Sequence, residues 1–328
     1  MIHPDVFKDF GITVNKCYKV RGAYICETNK GIKAIRKSDY TPEQITLQYD
    51  IKEHLIERGF NCVDQLYLNQ KSTPYTIYYN RIFVMSDWYN GQEIDFFNPE
   101  DIYQSIKLLG EMHIAVTGFN AIGTDIKEVK IKNLGEVYKK RYAETIKLKK
   151  RISNRGNKTE FEVLYFQNAS EYMELQEMAL EFLNPDNYEQ LIKLARQERT
   201  LAHHKYTYHN LKKTSDNSII LSGLEKSGYD VQLTDVAYVI RRIMEKNEWN
   251  VELLFNIMNE YSKIRPLSLQ EWDIIKGMII FPERFAKLCN KYFYTKRRWN
   301  YNMFYRKLSN MLVYKEVQVD CAKEILKW

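Results

Sequence analysis

The sequence predicts an α+β chain of two lobes, a small antiparallel β lobe with one main helix and then a larger helical lobe. Three observations carry this. Short β-like segments crowd residues 12–38. One well-capped helical segment follows at 41–58. From Asn98 onward the apolar spacing becomes helical, with a single short β-like interruption. The 328 residues are enough for one large domain or two lobes, and the expected division is 1–88 and 89–328.

The β segments come first. "ITVNKCYKV", "AYICETN" and "GIKAIRKS" are separated by Arg21-Gly22 and by Asn29-Lys30-Gly31. Asn and Gly tolerate positive φ, so the second break reads as a hairpin turn. For the helix, Thr41 is the expected N-cap, Pro42 takes the first position, and Gln44 completes a capping box. Ile45, Tyr49, Lys52 and Ile56 share one stripe, and Gly59 ends the helix. "VDQLYLN" and "YTIYYNRIFVMSDWY" read as further strands, and the connector lies near Tyr89-Asn90-Gly91. In the second lobe, Asn98-Pro99 starts a helix with Ile102, Ile106, Leu109 and His113 at helical spacing. Long amphipathic helices continue through about 185 and resume near 234, with "SIILSGLE" between them. A kinase-like bilobal arrangement fits this order best.

Composition narrows the function classes. Hydrophobic residues make up 45% and charged residues 28% of the chain, as in ordinary globular proteins. No apolar run approaches the roughly 20 residues of a membrane-spanning helix, and the N-terminus has no signal-peptide pattern. The five cysteines are scattered and form no C-x-x-C pair, so neither a disulfide framework nor a zinc site is indicated, and a reducing cytosol is inferred. A net charge of +7 is read as a lysine-rich solvated surface rather than a nucleic-acid footprint. The 25 tyrosines suit interfaces but decide nothing alone.

Several segments, in order, resemble the spore coat protein S family, a branch of the aminoglycoside phosphotransferase and choline kinase-like superfamily. "IKAIRKS" resembles the strand that carries a nucleotide-phosphate lysine, and "IKEHLIERGF" the helix with its paired acid. "VMSDWYNGQEIDF" resembles the hinge, and "LLGEMHIAVTGF" the first large-lobe helix. "FPERFAKLCNKYF" followed by "KRRW" resembles the C-terminal helical pair. The resemblance spans about residues 12–310 and implies a protein-kinase-like fold.

It also implies where catalysis should sit. Competent relatives carry a loop close to H-G-D-x-H-x-x-N, and here the segment is His203-His204-Lys205-Tyr206-Thr207-Tyr208-His209-Asn210. The third place needs a carboxylate to orient the acceptor hydroxyl and take its proton. Lys205 cannot do that while charged. Relatives end a short strand with I-D-F-D/E, whose first Asp holds Mg²⁺; here Gly223 stands in its place within Leu221-Ser222-Gly223-Leu224-Glu225. Asn210 and Glu225 remain as candidate oxygen ligands, too few for a near-octahedral cation.

Arg36 takes the place of the phosphate lysine, with Lys37 on the other strand face, and Glu53 is the candidate helix partner. The two could equally form an ordinary strand-to-helix ion pair. Arg36, Glu53, Asn210 and Glu225 together would line a vestigial nucleotide cleft. His203 is expected to be structural. Asp235 is expected to cap the next helix and, by resemblance, to anchor the loop backbone. Lys205 is expected to reach Glu225, Asp235 or the Asn210 side chain as a replacement cation; the alternative is a solvated lysine.

The sequence reading is thus a catalytically degenerate, pseudokinase-type component or assembly factor of the bacterial endospore coat. It would be made in the mother-cell cytoplasm, with other coat proteins as partners and no membrane association. No resident cofactor and no Mg²⁺ are expected, and weak ATP binding stays open. One rival is an active small-molecule phosphotransferase with unorthodox residues. A second is a nucleic-acid-associated protein, suggested by "YFYTKRRWNYNMFYRK". His203, His204 and His209 match no recognised metal-ligand spacing, and no G-x-S-x-G supports a nucleophilic enzyme.

Overall fold

A computed structural model describes residues 2–20, 22–123, 125–295 and 301–328. Arg21, on the first expected break, and the "KRRW" segment lie outside the described residues, as does the centre of the basic-aromatic stretch. The chain forms two compact units, residues 1–129 with 198–235, and 130–197 with 236–328. The expected boundary at 88/89 falls inside the first of these.

The first unit opens with a short helix, α1 (Pro4–Asp9), which the strand-dominated reading did not anticipate. A five-stranded antiparallel sheet follows, built from β1 (Val14–Val20), β2 (Ala23–Thr28), β3 (Gly31–Ser38), β4 (Thr76–Tyr78) and β5 (Arg81–Asp87) in the order β1-β2-β3-β5-β4. Between β3 and β4 runs α2 (Pro42–Glu57), whose Thr41–Gln44 capping box forms as its sequence dictates. Residues 63–69 are not the strand expected there. Val63 and Leu66 make only isolated bridges, to Leu221 and Ser86 respectively, so the segment passes from one sheet to another. That crossing carries Asp64 between them.

Cys17 and Cys26 are partners in the β1–β2 register and are joined by a disulfide, a correction to the cysteine reading. Spacing alone did not reveal it because strand register, not a Cys motif, brings the thiols together.

β6 (Gly91–Glu93) leads into α3 (Pro99–Val116), which buries Ile102, Ile106, Leu109 and His113 as its periodicity predicts. β6 also pairs with β8 (Leu211–Thr214), which pairs with β9 (Ile219–Leu221). Gly91 is required at this contact: a Cβ there would meet the Lys213 carbonyl oxygen at 2.2 Å. The two-residue strands β7 (Leu201–Ala202) and β10 (Gly228–Tyr229) pair beside it. This second set of strands positions the loop 203–210 and the strand end 221–225.

The second unit is helical. It contains α4 (Leu134–Ser153), α5 (Glu160–Phe182), α6 (Pro185–Glu198), most of α7 (Leu233–Met244), α8 (Val251–Ile264), α9 (Leu269–Ile280), α10 (Glu283–Tyr294), α11 (Tyr301–Leu312) and α12 (Lys315–Ile325). α5 is its axis, packed on α4, α9 and α11. Its core is aromatic: Tyr138 stacks on Phe281 at 4.1 Å between centroids, Tyr172 on Phe285 at 3.9 Å and Phe161 on Tyr292 at 3.9 Å. Several of the tyrosines counted in the sequence therefore serve packing rather than an exposed interface.

Candidate functional site

The site is assembled within the first unit. Asp235 lies in the first turn of α7, already inside the helix rather than at its N-cap. Its buried carboxylate is used on the loop: it accepts from the His203 N–H at 2.5 Å and the His204 N–H at 2.8 Å, and faces His113 Nε2 at 3.4 Å. Burial alone would raise its pKa. The hydrogen bond with His113 and the electrostatic influence of the surrounding imidazoles outweigh burial and hold it below the ordinary carboxylate range.

His203 is equally committed. Its Nδ1 accepts from the Lys205 N–H at 3.1 Å, so its Nε2 is the protonated nitrogen, 3.0 Å from the Ser222 carbonyl oxygen it donates to. One imidazole thus ties the loop to the strand end 221–225. Burial, partly offset by Asp235, lowers its pKa and keeps it neutral. Next to it, His204 takes a left-handed φ of 61° where relatives place Gly. Tyr206 is fully buried and donates to the Ser105 carbonyl of α3 at 2.6 Å.

The two positions expected to be degenerate, Lys205 and Gly223, behave differently. Lys205 is exposed, and among the described residues its ammonium has no ion-pair or hydrogen-bond partner. The Asn210 amide instead donates to the Lys205 backbone carbonyl at 2.8 Å, so the replacement-cation expectation is corrected. A four-carbon side chain on a loop facing solvent gains nothing by folding back. Gly223 is buried and left-handed, at φ 83°. A Cβ at Gly223 would lie 2.6 Å from Asn210 Cγ and Nδ2. The space a carboxylate would need is occupied by the amide expected to share the metal.

Charges in the cleft pair with one another, with Arg36 and Lys52 sharing one acid. Arg36 on β3 approaches Asp64 Oδ2 at 3.5 Å and Ser86 Oγ at 3.3 Å. Asp64 Oδ1 accepts from the fully buried Lys52 of α2 at 2.6 Å. Glu53, the expected helix partner of Arg36, is turned toward Tyr49 instead. The helix therefore supplies a cation, and the acid comes from the crossing segment, held where the Asp64 N–H donates to the Leu221 carbonyl at 3.0 Å. Burial lowers the Lys52 pKa more than Asp64 restores it, and Glu225 also lies within electrostatic range. On β3, Lys33 bonds Asp87 at 2.5 Å and also Tyr67.

Lys33, Lys52, Asp64 and Asp87 were not singled out from sequence, although Lys52 in an apolar stripe was a usable signal. A lysine buried there needs a counter-ion. The remaining histidines are dispersed: His204 faces Asp230 at 3.6 Å and His209 faces Glu93 at 3.1 Å. Among the described residues no group of three or more His, Cys, Asp or Glu side chains is placed to hold a metal ion. Of the expected ligand positions, Gly223 offers no side-chain oxygen, and Asn210 and Glu225 do.

The pattern of the family described as "Spore coat putative kinase YutH" matches residues 3–324. The chain belongs to this family. It is also similar to spore coat protein S of Bacillus subtilis (strain 168), with 19% identity over 304 residues, 88% of this chain and 82% of that protein. Among solved structures, an aminoglycoside phosphotransferase from Alicyclobacillus acidocaldarius superposes with a TM-score of 0.87 at 16% identity, covering 100% of this chain and 96% of that one. A spectinomycin phosphotransferase, solved with ADP and spectinomycin, gives 0.61 at 12% identity over 97% of this chain and 95% of the other. These likenesses establish the phosphotransferase-like fold of this spore-coat family member. Among the described residues no helix is long and apolar enough to cross a membrane.

Proposed function

We propose that this member of the YutH family is a pseudokinase of the endospore coat, acting as a structural or assembly component and not as a phosphotransferase. The observation that carries the reading is the Gly223–Asn210 contact: the position of the first metal carboxylate has no side chain, and its space is filled by Asn210. Lys205 supports it, since a cation stands where the acceptor's proton must be taken. The groups that remain, His203 and Asp235, hold the loop's backbone and need no substrate. Family membership and the likeness to spore coat protein S support placement in the coat, with other coat proteins as partners. Synthesis in the mother-cell cytoplasm precedes that step in this reading. The Cys17–Cys26 bond would then form after the chain leaves a reducing compartment.

One observation favours a second reading, metal-independent nucleotide binding. The Arg36 Nε is buried and has no hydrogen-bond partner among the described residues, a donor that a phosphate oxygen could satisfy. A thermal-shift titration with ATP and ADP, with and without Mg²⁺, separates the two. Stabilisation by nucleotide that Mg²⁺ leaves unchanged and Arg36→Ala abolishes supports a metal-free cleft. Stabilisation that requires Mg²⁺ would contradict the degenerate site.

A further inference from the structure

The second unit contains a cavity of about 800 Å³ that no part of the loop 203–210 or of the strand end 222–225 lines. Its wall is built from α5, α7, α10, α11 and the turn at Phe281–Pro282, with Gln318 of α12 at its margin. Two features set it apart.

The first is charge. Arg241, Arg242, Arg284, Lys287, Lys291 and Lys307 line it, against two carboxylates, Glu245 and Glu283. Both acids are already shared. Glu283 accepts from Arg141 at 2.7 Å, Arg241 at 2.7 Å and Lys287 at 2.8 Å. Burial opposes its ionisation, but Arg241, Lys287 and Arg141 hold its pKa at about 2. Glu245 serves Arg242 at 3.3 Å and Arg284 at 3.1 Å. Lys291 and Lys307 have no acidic partner among the described residues. The cavity therefore carries uncompensated positive charge.

The second is a buried orphan. Tyr172 lines the cavity and is fully buried, stacked on Phe285, yet among the described residues its hydroxyl has no hydrogen-bond partner. A buried hydroxyl left unpaired is a net loss unless something not yet present satisfies it. Phe281, Phe285 and Trp249 add an apolar face beside it.

We propose that this cavity binds a small organic phosphate ester. Its anionic group is drawn by Lys291 and Lys307, its apolar part lies against the aromatic wall, and one of its oxygens accepts from the Tyr172 hydroxyl. A size suited to small ligands, a surplus of cations and one unsatisfied buried donor converge on that chemistry. The site is independent of whether the cleft in the first unit binds nucleotide.

Isothermal titration calorimetry on the full chain tests it, with phenyl phosphate, inorganic phosphate and citrate as probes. The expected result is one saturable site for phenyl phosphate, tighter than for inorganic phosphate. Lys291→Gln with Lys307→Gln, both at exposed positions, should weaken it by about tenfold or more while the melting temperature stays close to that of the unaltered chain. Tyr172→Phe should weaken binding while leaving the melting temperature unchanged or higher, because the orphan hydroxyl is removed. Absence of saturable binding, or binding indifferent to all these changes, would overturn the proposal. A response to citrate without one to either phosphate would overturn the phosphate assignment, and loss of binding in Arg36→Ala would place the probe in the other unit.

Discussion

His203 is buried and neutral because one ring nitrogen accepts from the Lys205 N–H and the other donates to the Ser222 carbonyl. Its folded pKa is depressed, so below the ordinary histidine value of about 6.5 the unfolded chain binds a proton that the folded chain does not. Stability should decrease as pH drops through that window, at up to about 1.4 kcal/mol per unit from this residue. Denaturant titrations of the native chain and His203→Gln between pH 7 and 5 should show a shallower slope in the variant. Asp235, also depressed in the folded state, acts lower: its contribution is complete above about 3.9 and is lost as pH falls further through its folded value. Gly223 provides a second residue-scale prediction. Gly223→Ala should cost on the order of 1–3 kcal/mol, from left-handed strain plus displacement of Asn210, and a chemical-denaturation midpoint measures it. A fully neutral substitution would mean that the Asn210 amide does not occupy that space. Both roles were partly legible in sequence, since motif position identified His203 and Gly223. The Asn210 contact was not, because it depends on the meeting of two loop backbones.

At the scale of elements, strand and helix meet through an acid from a third segment. Lys52 of α2 and Arg36 of β3 share Asp64, which the crossing segment 63–69 delivers. Removing the acid leaves a fully buried ammonium alone, so Asp64→Ala should cost about 3–5 kcal/mol. Lys52→Met replaces a buried ion by an apolar side chain of similar length, and Arg36 still faces Asp64, so its loss should be clearly smaller. Equilibrium unfolding of the two variants checks this asymmetry; equal losses would mean that the pair acts as a simple symmetric contact. The element pattern explains what could be read in advance. α2, β1–β3 and α3 follow from capping residues and apolar period, which are local. The segment 63–69 has β-like composition but pairs through only two residues, because its backbone serves two sheets at once. No local pattern encodes that, and Asp64 is not recognisable from sequence as the partner of Arg36 for the same reason.

The molecule as a whole pairs a phosphotransferase-like fold with a cleft in which three cations, Lys33, Arg36 and Lys52, share two carboxylates, Asp87 and Asp64. The change from β to helical periodicity near Asn98 was enough to read the fold class. The aromatic core of the second unit was hidden in a high tyrosine count, because composition does not distinguish a buried ring from an exposed one. Neither was the basic cavity visible, since its cations come from three helices, α7, α10 and α11, whose packing no local pattern encodes. The central claim is that the scaffold persists without phosphoryl transfer. Loss of a general base alone removes about 10²–10⁴-fold in rate, and loss of the metal clamp several kcal/mol more. The most direct test is a radiolabelled γ-phosphate transfer and hydrolysis assay on the purified full chain, with choline, aminoglycoside and sugar acceptors, with and without Mg²⁺. The account predicts no turnover above a no-protein control under any condition. Robust turnover by the unaltered chain, lost on Arg36→Ala, would contradict it.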